Sequence, residues 1–298
     1  MAYFLQQLAN AVPVAALYAL LAFGYSIAFA VTRRADLTYG ALFGLSGQIF
    51  LLFTDFAFNR LWLVLPASLA LGALAALVYA AGTGIFLGRS VFRRVVLFSP
   101  NTVIVVSLGL AIVLMEVSRL AAETRAIWLP PFLNTPLVLW GDSHFPVTLT
   151  VIQFINTAAM LILVGAGQLF LQRSAWGRHW RAVSDDGEAA ALCGVDPARI
   201  FVMAYGASAL LAAIAGILAT AYYGTMDFGA GLVFGVKILF IAAIGGQATP
   251  ILAAAGGALM GLSETLWSGY GPILWRDFAI FSFLVLVLVL TRKERVQP

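Results

Sequence analysis

Long apolar runs are the sequence feature that most constrains the fold of this chain. Each run approaches or exceeds the ~20 residues that cross a bilayer core as a helix. The runs lie at roughly 11–31, 37–53, 61–87, 101–121, 147–171, 200–223, 232–248, 250–267 and 273–291. Since lipid offers no water to backbone amides, and the runs lack the alternation of a barrel, they must be helical. We therefore expect an all-α polytopic membrane protein, in which residues 1–298 form one transmembrane domain with about eight helices.

Composition supports a membrane location. The chain is 62% hydrophobic and 10% charged, which leaves too little polar surface to cover a water-soluble globule. The net charge of +4 comes from arginines at the ends of apolar runs, a topology signal that predicts no nucleic-acid partner. The single cysteine, Cys193, excludes an intramolecular disulfide and a cysteine metal cluster.

Basic residues predict the orientation. They form four clusters: Arg33 and Arg34; Arg89, Arg93 and Arg94; Arg173, Arg178, Arg181 and Arg199; and Arg292, Lys293 and Arg295. Because basic loops stay in the cytoplasm, we expect an outside N-terminus and a cytoplasmic C-terminus. The first ten residues contain no Lys or Arg, which argues against a cleaved signal peptide and predicts a retained first helix.

Small residues recur at every fourth position in several runs. One series is Gly72, Ala76, Ala80, Gly84 and Gly88; the shorter ones are Gly40 with Gly44, Gly231 with Gly235, and Gly257 with Gly261. Such ridges let two helix backbones approach closely, and we interpret them first as packing surfaces. The segment 245–250 contains glycine and proline, so 232–248 and 250–267 are predicted to form a short, glycine-broken helix pair dipping towards the inside.

Two polar connections stand out. Residues 122–146 contain several prolines and are expected to form an ordered external loop, too short for a separate domain. Residues 173–199 form the one long cytoplasmic interruption. Within it, Ser184 or Asp185 is expected to cap a short helix carrying 188–192, and Gly194 suits its left-handed C-terminal position.

The end of this cytoplasmic loop also contains residues that typically begin a helix. Asp196 followed by Pro197 predicts the N-cap and first residue of the next membrane helix. A short helix of small residues between two spans suits a docking surface for a partner, although a simple connector would look similar.

The loop and two other segments carry a family pattern. The loop reads Arg181-Ala182-Val183, Asp186, Glu188-Ala189-Ala190, Leu192, Gly194-Val195 and Arg199. The others are Gly24-Tyr25-Ser26-Ile27-Ala28-Phe29-Ala30, and Gly235-Val236-Lys237 through Gly245-Gly246 to Gly256-Gly257-Ala258-Leu259-Met260-Gly261. Together they resemble the branched-chain amino acid permease family of ABC importers. The three segments occur in the right order across nearly the whole chain.

The sequence also departs from that family. Its members commonly carry an Asn-Phe-Ala-His-Gly-Glu type run after the first helix, where this chain has Asp36-Leu37-Thr38-Tyr39-Gly40-Ala41. The later glycine-rich turn contains Gln247 and Thr249. These departures leave open whether the solute is a branched-chain or related amino acid, urea or a short amide.

The resemblance implies partners and roles. A permease of this kind in the bacterial inner membrane would assemble with a second permease, cytoplasmic ATPase subunits and an external solute-binding protein. ATP would be used by the partners, since neither lysine of this chain lies in a Gly-Lys-Ser/Thr loop. We expect no cofactor bound by this chain.

Two sets of candidate residues follow. The ATPase-coupling set is Arg181, Ser184, Asp186, Glu188, Ala189, Ala190, Leu192 and Gly194. The translocation-pathway set is Gly40, Gly44, Ser46, Gly47, Gly245, Gly246, Gln247 and Thr249.

Three alternatives remain from the residues alone. A proton-coupled carrier could use Glu116 or Glu264 as its proton site, although Glu116 is spaced for an ion pair with Arg119. A membrane scaffold would tolerate bulky residues in the glycine-rich turns. An enzyme finds little support, because the chain has no Gly-x-Ser-x-Gly elbow and its two histidines are predicted to lie on opposite sides of the membrane. We predict no metal site.

Glu264 and Asp277 are expected near an outer turn, and Asp36 at the interface.

Overall fold

The structure is a computed structural model that describes residues 2–95, 99–140, 146–245 and 248–291. Its helices are α1 (Ala2–Thr32), α2 (Thr38–Asn59), α3 (Leu65–Leu87), α4 (Arg93–Val95), α5 (Pro100–Ala121), α6 (Val151–Arg173), α7 (Ala175–Asp185), α8 (Gly187–Leu192), α9 (Pro197–Tyr223), α10 (Ala230–Gly245), α11 (Pro250–Tyr270) and α12 (Arg276–Thr291). A π-helical turn, Gly88–Phe92, joins α3 to α4. Strands β1 (Pro136–Trp140) and β2 (Val147–Thr150) lie between α5 and α6.

The predicted all-α membrane fold is confirmed. Within the described residues, six segments are long and apolar enough to cross a membrane, namely α1, α2, α3 continued through α4, α5, α6 and α9. The helices α10, α11 and α12 complete the bundle, so the expected count of about eight is approximate. The ends of α1, α3, α6 and α10 and the starts of α2, α5, α9 and α11 share one end of the bundle, which we call the basic end.

Helix α1 is the centre of the bundle. In its most apolar window 83% of the residues are buried, compared with 22% in each of α3, α5 and α6. Helices α11, α9, α6 and α10 all pack against it. The outer helices therefore face lipid while α1 faces protein on most sides.

Glycine contacts set the closest helix pairs. The Gly40 and Gly44 ridge of α2 lies directly against the Gly231 and Gly235 ridge of α10, where an added Cβ at Gly40 would overlap the α10 backbone. Gly257 of α11 meets the α1 backbone in the same way. These glycines allow backbone-to-backbone contact that a larger side chain would prevent.

The ridge on α3 packs in the predicted manner. Gly72 faces Thr54 and Phe50 of α2, and Gly84 faces Ala209 of α9. The small side chains between these glycines are fully buried. The four-residue spacing thus marks the inward face of an otherwise lipid-exposed helix.

The segment after α5 corrects the sequence interpretation. It was expected to be a loop as far as residue 146, with a helix starting at 147, but β1 and β2 pair antiparallel and α6 begins only at Val151. Three of the four residues in Val147–Thr150 are β-branched and their burial alternates, which favours a strand. Thr150 then caps α6 through a capping box with Gln153. The interpreted turn 141–143 and His144 lie outside the described residues.

The opposite end of α1 from the basic end is fastened to this hairpin. The Gln6 amide donates to the Thr148 carbonyl (3.0 Å) and accepts from the Thr148 amide (2.9 Å). The Tyr3 hydroxyl donates to the Gly269 carbonyl of α11 (2.8 Å). Between these contacts and the bundle centre lies Pro13, which cannot donate the helical hydrogen bond to the Ala9 carbonyl.

Asp36, in the connection from α1 to α2, was expected at the interface but is 7% exposed. Its Oδ1 accepts from the Thr38 amide (2.8 Å) and from the Thr38 hydroxyl (2.5 Å), which begins α2. The Asp36 amide donates to the Tyr25 hydroxyl (3.4 Å). Burial raises the pKa of Asp36 to about 6, although the Thr38 hydrogen bonds oppose the shift.

The glycine crossing predicts a difference between two valine substitutions. Gly40→Val forces α2 away from α10, so we expect the free energy of unfolding to fall by at least about 1–3 kcal/mol, the usual cost of overpacking. Gly82→Val on α3 is the control, because nothing lies within 4 Å of a Cβ there. Thermal unfolding of the detergent-solubilised chain measures both. Equal midpoints for the two variants would contradict the crossing.

Candidate functional site

The connection between α6 and α9 forms a built surface at the basic end. Ser174 starts α7, where its hydroxyl accepts from the Gly177 amide (2.9 Å). Gly177, Trp180 and Val183 are buried and follow a three-residue spacing, so one face of α7 lies on the bundle. Gly177 has no room for a side chain, because its position contacts the Leu171 backbone of α6.

Helix α7 is fastened to α1 by two hydrogen bonds. The indole N–H of Trp180, a side chain only 4% exposed, donates to the Ile27 carbonyl (3.0 Å). The Arg33 guanidinium, just beyond the end of α1, donates to the Ser184 carbonyl (2.6 Å). Both acceptors are backbone carbonyls, one in α1 and one in α7, so α7 and the basic end of α1 must move together or break these bonds.

The capping of the next helix corrects one expectation. Neither Ser184 nor Asp185 caps α8, because both belong to the last turn of α7 and the Ser184 hydroxyl donates to the Arg181 carbonyl (2.9 Å). Asp186 has the extended backbone of an N-cap, and its carboxylate accepts from the Glu188 and Ala189 amides (2.9 and 3.0 Å). Asp186 directly follows the two residues expected to cap the helix, and its extended backbone makes it the N-cap instead.

The end of the loop agrees with the sequence prediction. Gly194 has a φ of +86°, in the left-handed region, and follows α8 as expected. Asp196 caps α9 by accepting from the Ala198 amide (2.9 Å), and Pro197 is the first helical residue.

Together these contacts leave one side of α8 uncovered. Leu192 is 91% exposed, and Glu188 and Ala189 are also exposed, whereas Ala190 is 5% exposed and holds α8 to the bundle. Arg181 turns away, since its guanidinium donates to the Leu171 and Gln172 carbonyls of α6. We call the exposed set of Asp185, Asp186, Glu188, Ala189 and Leu192 the α8 surface.

The residues predicted to line a pathway lie mainly at helix contacts. Gly40 and Gly44 face α10, and Gly47 faces Thr220 and Met226. Ser46 is fully buried, and its hydroxyl donates to the Leu42 carbonyl (2.6 Å). These four residues therefore pack at contacts between helices, and their role in a translocation pathway stays a prediction.

The rest of that set lies at the junction of α10 and α11. Gly245 is the last residue of α10, and Thr249 is exposed just before α11. Gly246 and Gln247 fall outside the described residues. The predicted break between the two helices is confirmed, and α10 packs against α11.

A buried charge cluster joins α10, α11 and α12, and the sequence interpretation missed it. Lys237, whose side chain is 4% exposed, pairs with Glu264 (3.0 Å) and Asp277 (3.2 Å). The Tyr18 hydroxyl of α1 donates to the other Glu264 oxygen (2.8 Å). Glu264 was expected near a solvated turn but is 9% exposed, whereas Asp277 is about half exposed.

This cluster ties the late helices to α1. The charge of Lys237 is balanced by Glu264 inside the bundle, which is the arrangement that makes intramembrane charges tolerable. The sequence feature that could have predicted this pair is a lysine and a glutamate, which have opposite charges, on two consecutive apolar helices. By contrast, Glu116 pairs with Arg119 as the spacing predicted, on an exposed face of α5.

Comparison with known proteins agrees with this architecture. The family model described as branched-chain amino acid transport system, permease component, matches residues 7–290. The LivH permease protein of the high-affinity branched-chain amino acid transport system of Escherichia coli (strain K12) is 27% identical over 291 residues, which cover 96% of this chain and 93% of the relative. BraD of Pseudomonas aeruginosa, named for the same kind of system, is 25% identical over 288 residues, with 96% and 94% covered.

A shorter similarity extends to another permease. The fructose import permease protein FrcC of Rhizobium meliloti is 34% identical over 107 residues, which cover 36% of this chain and 29% of the relative. No solved structure matches the chain. The family model covers nearly the whole bundle, including α7, α8 and the late helix pair. The chain therefore belongs to the family of branched-chain amino acid transport system permease components.

Proposed function

We propose that this chain is the membrane-spanning permease subunit of an ABC-type importer for branched-chain or related amino acids. The observation that carries the proposal is the α8 surface, held at the basic end of the bundle by α7 and bonded through Trp180 to α1. An ATPase that grips this surface can move the central helix. Family membership and the full-length similarity to LivH and BraD support the same assignment.

The first mechanical step lies between the α8 surface and α1. A partner that pulls α8 also pulls α7, because Asp186 is both the C-cap of α7 and the N-cap of α8. Helix α7 transmits the load to the Ile27 and Ser184 carbonyl contacts. The load therefore reaches α1 with no flexible segment between.

The second step lies between α1 and the late helices. Gly257 and Gly261 of α11 lie against the α1 backbone without intervening side chains. Tyr18 of α1 also bonds Glu264 of α11, which pairs with Lys237 of α10. A shift of α1 therefore changes the helix pair whose glycine-broken junction is the pathway candidate.

The remaining parts of the importer are partner chains. Separate ATPase subunits at the α8 surface use the ATP, a second permease subunit completes the path, and an external solute-binding protein delivers the solute. The proposal includes the predicted orientation, with the N-terminus outside and the C-terminus on the cytoplasmic side of a bacterial inner membrane; the basic clusters support it. Because part of the chain is similar to a fructose permease, a transport assay should test a sugar alongside the amino acids.

The charged groups favour an importer over a proton-coupled carrier. Both carboxylates that a carrier could use are already in ion pairs, Glu264 with Lys237 and Glu116 with Arg119. A carboxylate already paired with a basic side chain has a structural role that explains its place in the bundle without proton transfer.

The α8 surface predicts loss of the ATPase in two variants. Glu188→Arg reverses a charge and Leu192→Glu places a charge on an exposed apolar side chain, so each should lower ATPase co-purification from native membranes at least about tenfold, as at an interface hot spot. Neither side chain packs in the bundle, so the amount of inserted chain should not change. Quantitative mass spectrometry of the purified complex measures both quantities.

The control is Glu123→Arg, an exposed glutamate beyond α5 at the other end of the bundle. It should retain the ATPase. Wild-type chain that purifies without an ATPase and still accumulates leucine in vesicles would refute the proposal and favour a carrier.

The Trp180 contact predicts an uncoupled complex. Trp180→Phe keeps an aromatic ring but removes the N–H that donates to the Ile27 carbonyl. We expect the ATPase to stay bound and to hydrolyse ATP, while leucine uptake per ATP falls several-fold in proteoliposomes. Trp140→Phe, on the exposed strand β1, is the matched control. Unchanged uptake per ATP in Trp180→Phe would remove this contact from the mechanism.

The buried ion pair predicts non-additive stability. Lys237→Met removes the nearest cation of Glu264 and leaves, among the described residues, only the Arg276 guanidinium at 3.8 Å, so the free energy of unfolding should fall by about 3 kcal/mol, the lower end of the range for removing one partner of a buried pair. The double variant Lys237→Met/Glu264→Gln should lose less than Lys237→Met alone. A double-mutant cycle in detergent measures the coupling.

Transport by the double variant separates the two function classes. An importer with the pair removed still couples uptake to ATP, whereas a carrier that protonates Glu264 loses proton-driven uptake. Additive stability effects of the two substitutions would contradict the structural role assigned to the pair.

A further inference from the structure

An apolar groove lies on the lipid-facing side of the bundle, between α3, α6 and α9. It has a volume of about 440 Å³ and is lined by Ile85, Phe170, Val202, Met203, Ala207 and Leu210, with Gly206 at its floor. Most of these side chains are more than one third exposed. All of them lie within the half of the bundle nearest the basic end, since α3 and α6 end there and α9 begins there.

A second, polar pocket adjoins the groove at the basic end. Its volume is about 380 Å³, and it lies between α7 and the start of α9, where His179, Asp196 and Arg199 contribute polar groups. Trp176 and Met203 line both spaces, so the groove and the pocket are continuous. The combined site therefore has an apolar part at membrane depth and a charged part at the membrane surface.

The polar groups of the pocket have unused donors. Among the described residues, the Arg199 guanidinium forms no salt bridge. The indole N–H of Trp176 is buried beneath the pocket surface, so the ring offers a ligand its apolar part only. The Asp196 carboxylate is occupied, because it accepts from the Ala198 and Arg199 amides.

We propose that this site binds one anionic phospholipid of the inner leaflet, with its phosphate at Arg199 and His179 and an acyl chain in the groove. Basic pockets between membrane helices on the cytoplasmic side are known to hold anionic headgroups. Trp176 stacks on Phe170 (5.7 Å between centroids) at the boundary, the depth at which tryptophan is enriched in membrane proteins.

The shape of the site argues for a lipid over the two protein occupants. An ATPase can reach the polar pocket but not the groove, which lies among membrane helices. A helix of a second permease could fill the groove but has no use for the unpaired Arg199 at its end. Of the three, a phospholipid is the occupant that joins an anionic headgroup to an apolar chain. The headgroup matches the polar pocket and the chain matches the adjoining groove.

The lipid site rests on the proposed orientation, with the basic end on the cytoplasmic side, but it does not depend on solute transport. His179 belongs to α7, and Arg199 to the first turn of α9, so a phosphate bound by both side chains bridges the two helices. Phospholipid binding is measured directly, and its failure leaves the importer assignment untouched.

The test is native mass spectrometry of the full-length chain in detergent, titrated separately with phosphatidylglycerol and phosphatidylcholine. We expect wild type to bind phosphatidylglycerol more tightly. Arg199→Gln should weaken phosphatidylglycerol binding about fivefold, the loss of roughly one basic contact at a membrane surface. Ala207→Phe should weaken binding of both lipids by filling the groove.

Matched controls separate the site from general effects. Arg60→Gln removes an arginine just after α2 at the other end of the bundle, and Ala70→Phe adds the same ring to an exposed position of α3. Both should bind like wild type. Equal affinity for the two lipids, or site variants indistinguishable from these controls, would overturn the proposal.

A cross-linking experiment tests the protein occupants in native membranes. A photoreactive residue at Met203 should capture phospholipid. Capture of the second permease or the ATPase instead would assign the groove to a protein interface and overturn the lipid site.

Discussion

The close contact between the backbones of α1 and its neighbours is the constraint on which the rest of the bundle depends. Lipid does not drive helices together by the hydrophobic effect, so association relies on packing and on satisfied polar groups. Gly257 and Gly261 bring α11 against α1, and the matched ridges of α2 and α10 add the next helices. Once α1 is surrounded in this way, its environment is dry, and a single charge there must have a partner.

The pairing of Lys237 with Glu264 follows from this exclusion of water, because each charge needs a partner of opposite sign. The two side chains neutralise each other between α10 and α11, and Tyr18 extends the cluster to α1. At the basic end Trp180 and Arg33 bond to backbone carbonyls, and at the opposite end Gln6 and Tyr3 do the same. The bundle is thus held by side-chain to backbone contacts at both ends, and the ionic cluster joins α10 and α11 to α1 between them.

Local features were predictable from the sequence, and contacts between distant residues were not. Gly194 and Asp196 were identified because their roles depend on a few neighbouring residues. The helix ridges were visible from spacing, but spacing does not say that Gly40 meets Gly235. The Glu264 environment was missed because its partner is 27 positions away in the chain. Strand β2 was merged with α6 because both are apolar and adjacent.

The attachment of α1 at both ends has a consequence for how a signal could cross the membrane. Gln6 is bonded to the hairpin and Ile27 to α7, and these residues are about 30 Å apart along the helix. Because α1 is fixed at both ends, a rotation imposed at one end must either rotate the other end or twist the helix between them. Pro13 removes one helical hydrogen bond, so the helix twists more easily there than where its hydrogen bonds are intact. Pro13 lies on the hairpin side of the bundle centre.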